Sequence, residues 1–209
     1  MNDFDVVIVG GGLVGSALAC ALGDSTLRVA LIEHAAPAPA PLHDDYDLRV
    51  SALTLASRAL LQSLGAWRHL EELAPARVHR ISAMVVWERA ATLRFSADDV
   101  GQDCVGLIAE NRLVLAALRA RLTSFTNIAS FVPAQLSGVA IGEDAAQVRL
   151  ADGRTLSARV VIGADGAHSQ LRNLAGIIQS QVAYGQTAIV ATLTLARAHH
   201  GIAHHRLLP

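Results

Sequence analysis

The chain has 209 residues, enough to bury a sizeable core in one domain or one and a half. Its 17 basic and 18 acidic side chains nearly cancel, so nothing in bulk electrostatics argues for a nucleic-acid partner, and an apolar share of 52% excludes a disordered chain. Cys20 and Cys104 lie far apart with no Cys-x-x-Cys, which argues against a disulfide framework or a zinc site and fits a reducing cytoplasm.

The first element is Asp5 to Val9, a buried strand that runs into Gly10-Gly11-Gly12-Leu13-Val14-Gly15 and then a helix of small residues. Gly10, Gly12 and Gly15 satisfy G-x-G-x-x-G in the strand-turn-helix context that gives it meaning. The first glycine permits the tight turn and the second a close approach of backbone to a pyrophosphate. The third permits close packing of helix on strand, with the anion on the unpaired N–H groups at the helix start. Ala19 and Gly23 keep the inner helix face small. A second strand, Arg28 to Ile32, ends at Glu33, where a carboxylate would accept hydrogen bonds from a ribose diol. The unit predicts a dinucleotide site but leaves FAD and NAD open. Val6 to Gly23 carries no charge, yet its glycines at a strand-to-helix turn favour this reading over a membrane span. The N-terminus lacks the positive flank of a signal peptide.

Alternating prolines from Ala35 to Pro41 predict a surface loop. Apolar spacing from Thr54 to Leu73 predicts helix, interrupted at Gly65, with Leu60 and Leu64 buried and Arg58 and Gln62 exposed. Arg49, in the polar loop before it, is either a guanidinium for a cofactor phosphate or a solvated loop residue. Ile81 to Trp87 and Ala91 to Phe95 predict a hairpin of a second, substrate-facing sheet. Asn111 is the candidate N-cap of a helix running through Leu122. Arg112 then falls in the first turn, where the dipole disfavours a cation unless it serves a ligand anion or a carboxylate; a plain surface arginine is the other reading.

Strands at 128–132, 136–141, 147–150 and 155–162 predict a β-meander across one face of the parallel sheet, with Asp152-Gly153 as a two-residue hairpin loop. The last strand enters Gly163-Ala164-Asp165-Gly166-Ala167-His168-Ser169, a second glycine-rich strand-to-helix turn with an acid at its centre and Ser169 as the candidate cap. Two such turns suggest one extended ligand held at both. No residue stands out as a general base, so no catalytic residue is assigned. The tail histidines (His199, His200, His204, His205) read as a polar loop and strand end rather than metal ligands.

Together these pieces resemble the FAD-dependent aromatic hydroxylases of the 4-hydroxybenzoate hydroxylase type, and more closely the branch that hydroxylates ubiquinone precursors. The resemblance rests on the first glycine turn with Glu33, on Asp47-Leu48-Arg49 with Ala52-Leu53 and Leu64-Gly65-Ala66-Trp67, on Asn111-Arg112, and on Gly163 to Arg172. Tyr184 to Val190 is similar to the first strand of that branch's substrate domain. It implies an α/β fold: a Rossmann-like FAD-binding domain from 1–75 and 101–180, and the beginning of an antiparallel substrate domain from 76–100 and 181–209. By resemblance Gly10, Gly12, Leu13, Val14 and Gly15 hold the FAD pyrophosphate and Glu33 the adenosine ribose. Arg49 and Arg112 reach the pyrophosphate or ribityl region. Asp165 holds the cofactor near its ribose and pyrophosphate and contributes to the path of NADPH or NADH.

The implied reaction is hydroxylation of a polyprenyl phenol with O2 and NAD(P)H, by an enzyme of the cytoplasm that meets the inner membrane peripherally or joins a ubiquinone-synthesis complex. Family members are longer, and their third motif, a Gly-Asp followed by Ala-His near the flavin ring, is missing here. The sequence therefore reads as truncated, a fragment, or half of a split protein, with Ile189 to Leu195 a strand short of neighbours. The alternatives are an inactive nucleotide-binding remnant or another FAD enzyme, such as an isoprenoid reductase or epoxidase. An NAD-dependent dehydrogenase is disfavoured by the second turn and the meander.

Overall fold

Four consecutive β-branched residues, Val6 to Val9, form most of the first strand, which lies at the centre of the larger sheet. A computed structural model describes residues 2–36 and 46–208 of the protein; the proline-rich loop expected at 35–41 lies outside these from Pro37 onward. In chain order the elements are β1 (Phe4–Val9), α1 (Leu13–Leu22), β2 (Val29–Ile32), β3 (Val50–Leu53), α2 (Leu55–Ser63), α3 (Ala66–Leu73), β4 (Val78–Ile81), β5 (Ala83–Glu88) and β6 (Ala91–Ser96). They continue with β7 (Gly106–Glu110), α4 (Asn111–Leu122), β8 (Ile128–Phe131), β9 (Leu136–Ile141), β10 (Ala146–Leu150), β11 (Thr155–Gly163), α5 (Gln170–Leu174) and β12 (Ile202–Arg206). Contacts divide the chain into two units, residues 1–40 with 115–187 and residues 41–114 with 188–209, the division passing through α4.

The first unit is built on a six-stranded sheet in the order β8-β2-β1-β11-β10-β9. Its first four strands are parallel, and β11 does double duty: Val160 to Gly163 run beside β1, while Thr155 to Ala158 pair antiparallel with β10. The meander thus continues the parallel sheet through β11 and folds back over one face. Val7, Val9, Ala30 and Ile32 point into that face and meet Leu136, Val148, Leu150 and Leu156 of the meander. Strand alternation sends Val6, Ile8, Val29 and Leu31 to the opposite face, which the helices cover. There the Cys20 thiol donates to the Leu118 carbonyl across α1 and α4, and Gly23 lies so near the Phe125 ring that a Cβ would stand 2.4 Å from it.

The Asp152-Gly153 turn differs from expectation. Only Gly153 takes positive φ (91°), and Leu150 N–H bonds to the Arg154 carbonyl around three intervening residues. The loop is therefore of the three-residue kind, in which one glycine in the left-handed region suffices.

Burial pushes the Cys20 thiol up to about 11, and Cys104 is fully buried as well. Both should resist iodoacetamide at pH 8 in the native chain and become labelled only as it unfolds. Mass spectrometry of labelling against urea concentration checks this, and rapid alkylation in the absence of urea would contradict it.

The second unit holds two small sheets. One is the antiparallel set β3-β7-β4, which the sequence did not reveal. The other joins the expected hairpin of β5 and β6 to β12, which runs parallel to β5, so this sheet is mixed rather than purely antiparallel. Thr54 caps α2 by accepting from Ser57 N–H, and Gly65 (φ 75°) separates α2 from α3 as its spacing predicted. The buried face is displaced by one residue: Leu61 and Leu64 are inside, whereas Leu60 is 53% exposed. Arg58 is drawn inward instead, over the Trp67 ring at 5.5 Å and toward Asp103.

Residues 177–195 form no strand, and Ile178 (96%) and Ile189 (94%) are almost fully exposed. A strand exists through its paired neighbours, and among the described residues none lies alongside this stretch.

Candidate functional site

Gly10 and Gly15 are glycine for reasons internal to the protein. Gly10 has φ 106°, and a Cβ there would sit 2.4 Å from the Ala164 carbonyl oxygen. A Cβ on Gly15 would come within 1.8 Å of the Gly10 carbonyl oxygen, so α1 can start this close to β1 only without a side chain. Gly12 is different: φ is −73° and a Cβ would meet nothing within 4 Å. The protein itself places no demand on that position. Gly12 also stands at the N-cap with no side-chain cap, and the first turn of α1 has no acidic residue. Among the described residues the N–H groups of Leu13 and Val14 find no acceptor. They offer donors and a positive dipole end to an anion.

Glu33 stands at the end of β2, only 9% exposed. One carboxylate oxygen accepts from Gly11 N–H at 2.7 Å and the other from Ala35 N–H at 2.9 Å, with His34 Nδ1 also 2.9 Å away. A carboxylate has about four lone-pair sites, so this bonding fixes the side chain and leaves acceptor capacity for a diol.

The second turn lies directly beside the first. Ala164 N–H bonds to the Val9 carbonyl and Gly10 N–H to the Ile32 carbonyl, which ties the ends of β11, β1 and β2 together. Asp165 is held by its own turn: it accepts from the Ser169 hydroxyl and from Leu171 N–H at 3.0 Å. Ser169 accepts in turn from Arg172 N–H, capping α5. Burial alone would raise the Asp165 carboxyl, but these hydrogen bonds outweigh it and hold it below the usual carboxylate range. Gly10, His34, Asp165 and His168 share a cleft of about 420 Å³ between the two turns.

Arg49 and Arg112 belong to the second unit. Arg49 is exposed, its N–H bonded to Asp47 and its carbonyl accepting from Asn111 N–H. Asn111 is itself the first residue of α4, and its side-chain oxygen accepts from the Ser51 hydroxyl. The first-turn cation at Arg112 has its carboxylate: Nη2 lies 2.7 Å from Glu110 and Nε 2.9 Å. Glu110, 2% exposed, also accepts from Arg77 at 3.1 Å and from Asp47 N–H at 2.8 Å. Sequence reasoning missed Glu110, whose only signal was an acid ending an apolar strand next to Asn-Arg.

The model of one family, the FAD-binding domain, matches residues 3–205. The chain belongs to that family. It is 39% identical to ubiquinone hydroxylase UbiL of Rhodospirillum rubrum over 98% of this chain and 47% of the relative. It is 36% identical to the mitochondrial ubiquinone biosynthesis monooxygenase COQ6 of Mus musculus over 99% of this chain and 46% of that protein. The chain thus spans about half the length of the curated relatives it matches. The P. aeruginosa PqsL structure in complex with 2-aminobenzoylacetate superposes with a TM-score of 0.69 at 25% identity, covering 87% of this chain and 48% of PqsL.

The FAD-binding family fold fits the residues present. The open position at Gly12 and the donors of Leu13 and Val14 suit a pyrophosphate, and the braced Glu33 carboxylate suits a ribose.

Proposed function

We propose that this chain is the cofactor-binding part of an FAD-dependent monooxygenase that hydroxylates the aromatic ring of a ubiquinone precursor, with NADPH or NADH and O2 as co-substrates. Identity of 39% to a ubiquinone hydroxylase across nearly the whole chain carries the reading. In it, residues 1–75 and 101–180 hold the cofactor, and 76–100 with 181–209 begin the substrate-facing sheet.

Gly10, Gly12, Leu13, Val14 and Gly15 bind the pyrophosphate, and Glu33 accepts from the adenosine ribose. Asp165 stations the second turn against the first and holds the cofactor near its ribose and pyrophosphate. Arg49 and Arg112 contact the pyrophosphate or ribityl region. The chemistry supplied by FAD when bound is transfer of one oxygen atom from O2 to an electron-rich phenol ring. The protein's part is to orient the ring system and exclude water. A polyprenyl substrate brings the enzyme to a membrane surface or a ubiquinone-synthesis complex, from the cytoplasmic side. Among the described residues no helix is long and apolar enough to cross a membrane.

Titration of the purified chain with FAD, followed by flavin fluorescence, tests the cofactor site. Saturable binding is expected, and Glu33→Gln should weaken it by about tenfold, the worth of one hydrogen bond to a charged group. A folded chain without saturable binding would overturn the proposal. For the reaction, a chimera carrying residues 1–209 in place of the matching part of UbiL should restore ubiquinone synthesis in cells lacking their own hydroxylase. A chimera that binds FAD yet makes no ubiquinone would reject the assigned substrate.

A further inference from the structure

The second unit has a cleft of its own, about 360 Å³ in volume, which shares no residue with either glycine turn. Its size falls at the lower end of the range for small-molecule sites, about 300–1,000 Å³. Pro75, Val78 and Leu107 give it apolar walls and the buried Trp67 an aromatic one, while Arg58 from α2 and Arg80 from β4 bring two guanidiniums to it. Glu71, also on the wall, is turned to the Trp67 indole N–H and accepts from it at 2.6 Å.

What the two arginines lack is an acceptor suited to both. Asp103 stands between them, its Oδ2 lying 3.5 Å from Arg58 Nη1 and 3.2 Å from Arg80 Nη1. Charge-assisted pairs close to about 2.7–2.9 Å, so neither arginine is fully engaged. Arg58 Nε is worse placed: it is shut from solvent and has no acceptor among the described residues. Buried donors are paired as a rule, and an arginine with only a structural task would turn this one to water. Asp103 is 44% exposed and does not line the cleft, so the side of the guanidiniums that faces inward is left to another anion.

The chemistry of that anion follows from the walls. A guanidinium fork fits the two coplanar oxygens of a carboxylate, and the apolar and indole surfaces require a body without charge. We infer that this cleft binds a small monocarboxylic acid on an aromatic or other flat apolar body, with Arg58 and Arg80 holding the carboxylate. As the acid enters, Arg58 turns its Nε edge to it. Asp103, which otherwise occupies both arginines, competes with the ligand for them.

Benzoate is the probe, titrated by calorimetry into the purified chain at neutral pH, with benzamide as its uncharged isostere and inorganic phosphate as an anion without a ring. Benzoate should bind saturably, and about tenfold more tightly than either. Arg58→Met and Arg80→Met, which keep an aliphatic stem, should each weaken it by about tenfold, the worth of a hydrogen bond to a charged group. Asp103→Asn should move the other way and tighten benzoate by about threefold, the worth of the exposed ion pair that no longer competes. Thermal melts by circular dichroism establish that each variant is folded. Should Arg58→Met not fold, Arg80→Met and Asp103→Asn, both at exposed positions, decide the matter. Benzamide binding as tightly as benzoate would make the cleft a merely apolar pocket, and phosphate binding as tightly would make it a surface anion site. Benzoate affinity that falls or stays constant in Asp103→Asn would make the arginines a structural ion pair. Each of these results overturns the inference, as does the absence of saturable benzoate binding, and none touches the FAD reading, which has its own titration.

Discussion

Gly15→Ala should be among the most damaging single substitutions in the chain, destabilising it by about 3 kcal/mol and lowering the melting temperature by roughly 10 °C. The added Cβ would stand 1.8 Å from the Gly10 carbonyl oxygen, and that oxygen is backbone at the end of a strand buried on both faces. It has no rotamer to change. Relief requires α1 to move off β1, which opens the core around Ala19 and Cys20 and displaces the donors of the glycine turn together.

Gly12→Ala, three residues earlier, should behave in the opposite way. Its φ is that of an ordinary residue and its Cβ would enter open space. Loss of a favourable N-cap should cost about 1 kcal/mol or less. FAD affinity should nevertheless fall on the order of a hundredfold, because the methyl occupies the space through which a pyrophosphate approaches the backbone. Thermal melts and FAD titrations of the two variants check the pair. Retention of wild-type FAD affinity by a folded Gly12→Ala chain would remove the pyrophosphate from this turn.

Glu110→Ala is the second large effect, expected at about 3–5 kcal/mol, since it leaves two guanidiniums facing a buried gap. Arg77, Arg112 and the Asp47 N–H converge on this one carboxylate. Glu110→Gln keeps an acceptor for the N–H but not the charge, and should cost less.

The effect carries a pH signature. Burial on its own would raise the Glu110 carboxyl, but the Asp47 N–H and the two arginines outweigh it and hold it below the ordinary value. A glutamate in the unfolded chain titrates near about 4.3. The stabilisation from Glu110 is therefore complete above that pH and is lost as pH falls through the lower, folded value. Urea midpoints of wild type and Glu110→Gln should differ at pH 7 and approach one another on acidification. A gap that stays constant with pH would show that the charge of Glu110 contributes nothing.

What the sequence made legible was local. The run from β1 through the first glycine turn to Glu33, and the turn from Gly163 to Ser169, each carry strand, turn chemistry and helix start within a few residues, so nearest neighbours decide the outcome. Glu110 was hidden because its partners are distant in sequence: Arg77, in the short turn before β4, and the backbone N–H of Asp47, far earlier in the chain. Leu60 and Leu61 could not be told apart by periodicity, because the short helix they share is broken at Gly65 and its facing is set by Trp67 and Asp103. The strand expected at Ile189 has the right composition and no partner, and composition cannot supply hydrogen bonds.

The position of β1 between β2 and β11 has a kinetic consequence. One of its neighbours follows within 30 residues of chain, while the other pairs Val6 with Val160. The glycine turn is synthesised well before its wall at Ala164, because the residues of the second unit and the meander lie between them in the chain. High contact order of this kind slows folding and leaves an apolar strand edge waiting. A nascent chain therefore passes through an interval in which β1 and its glycine turn are packed on the β2 side only, until β11 is made.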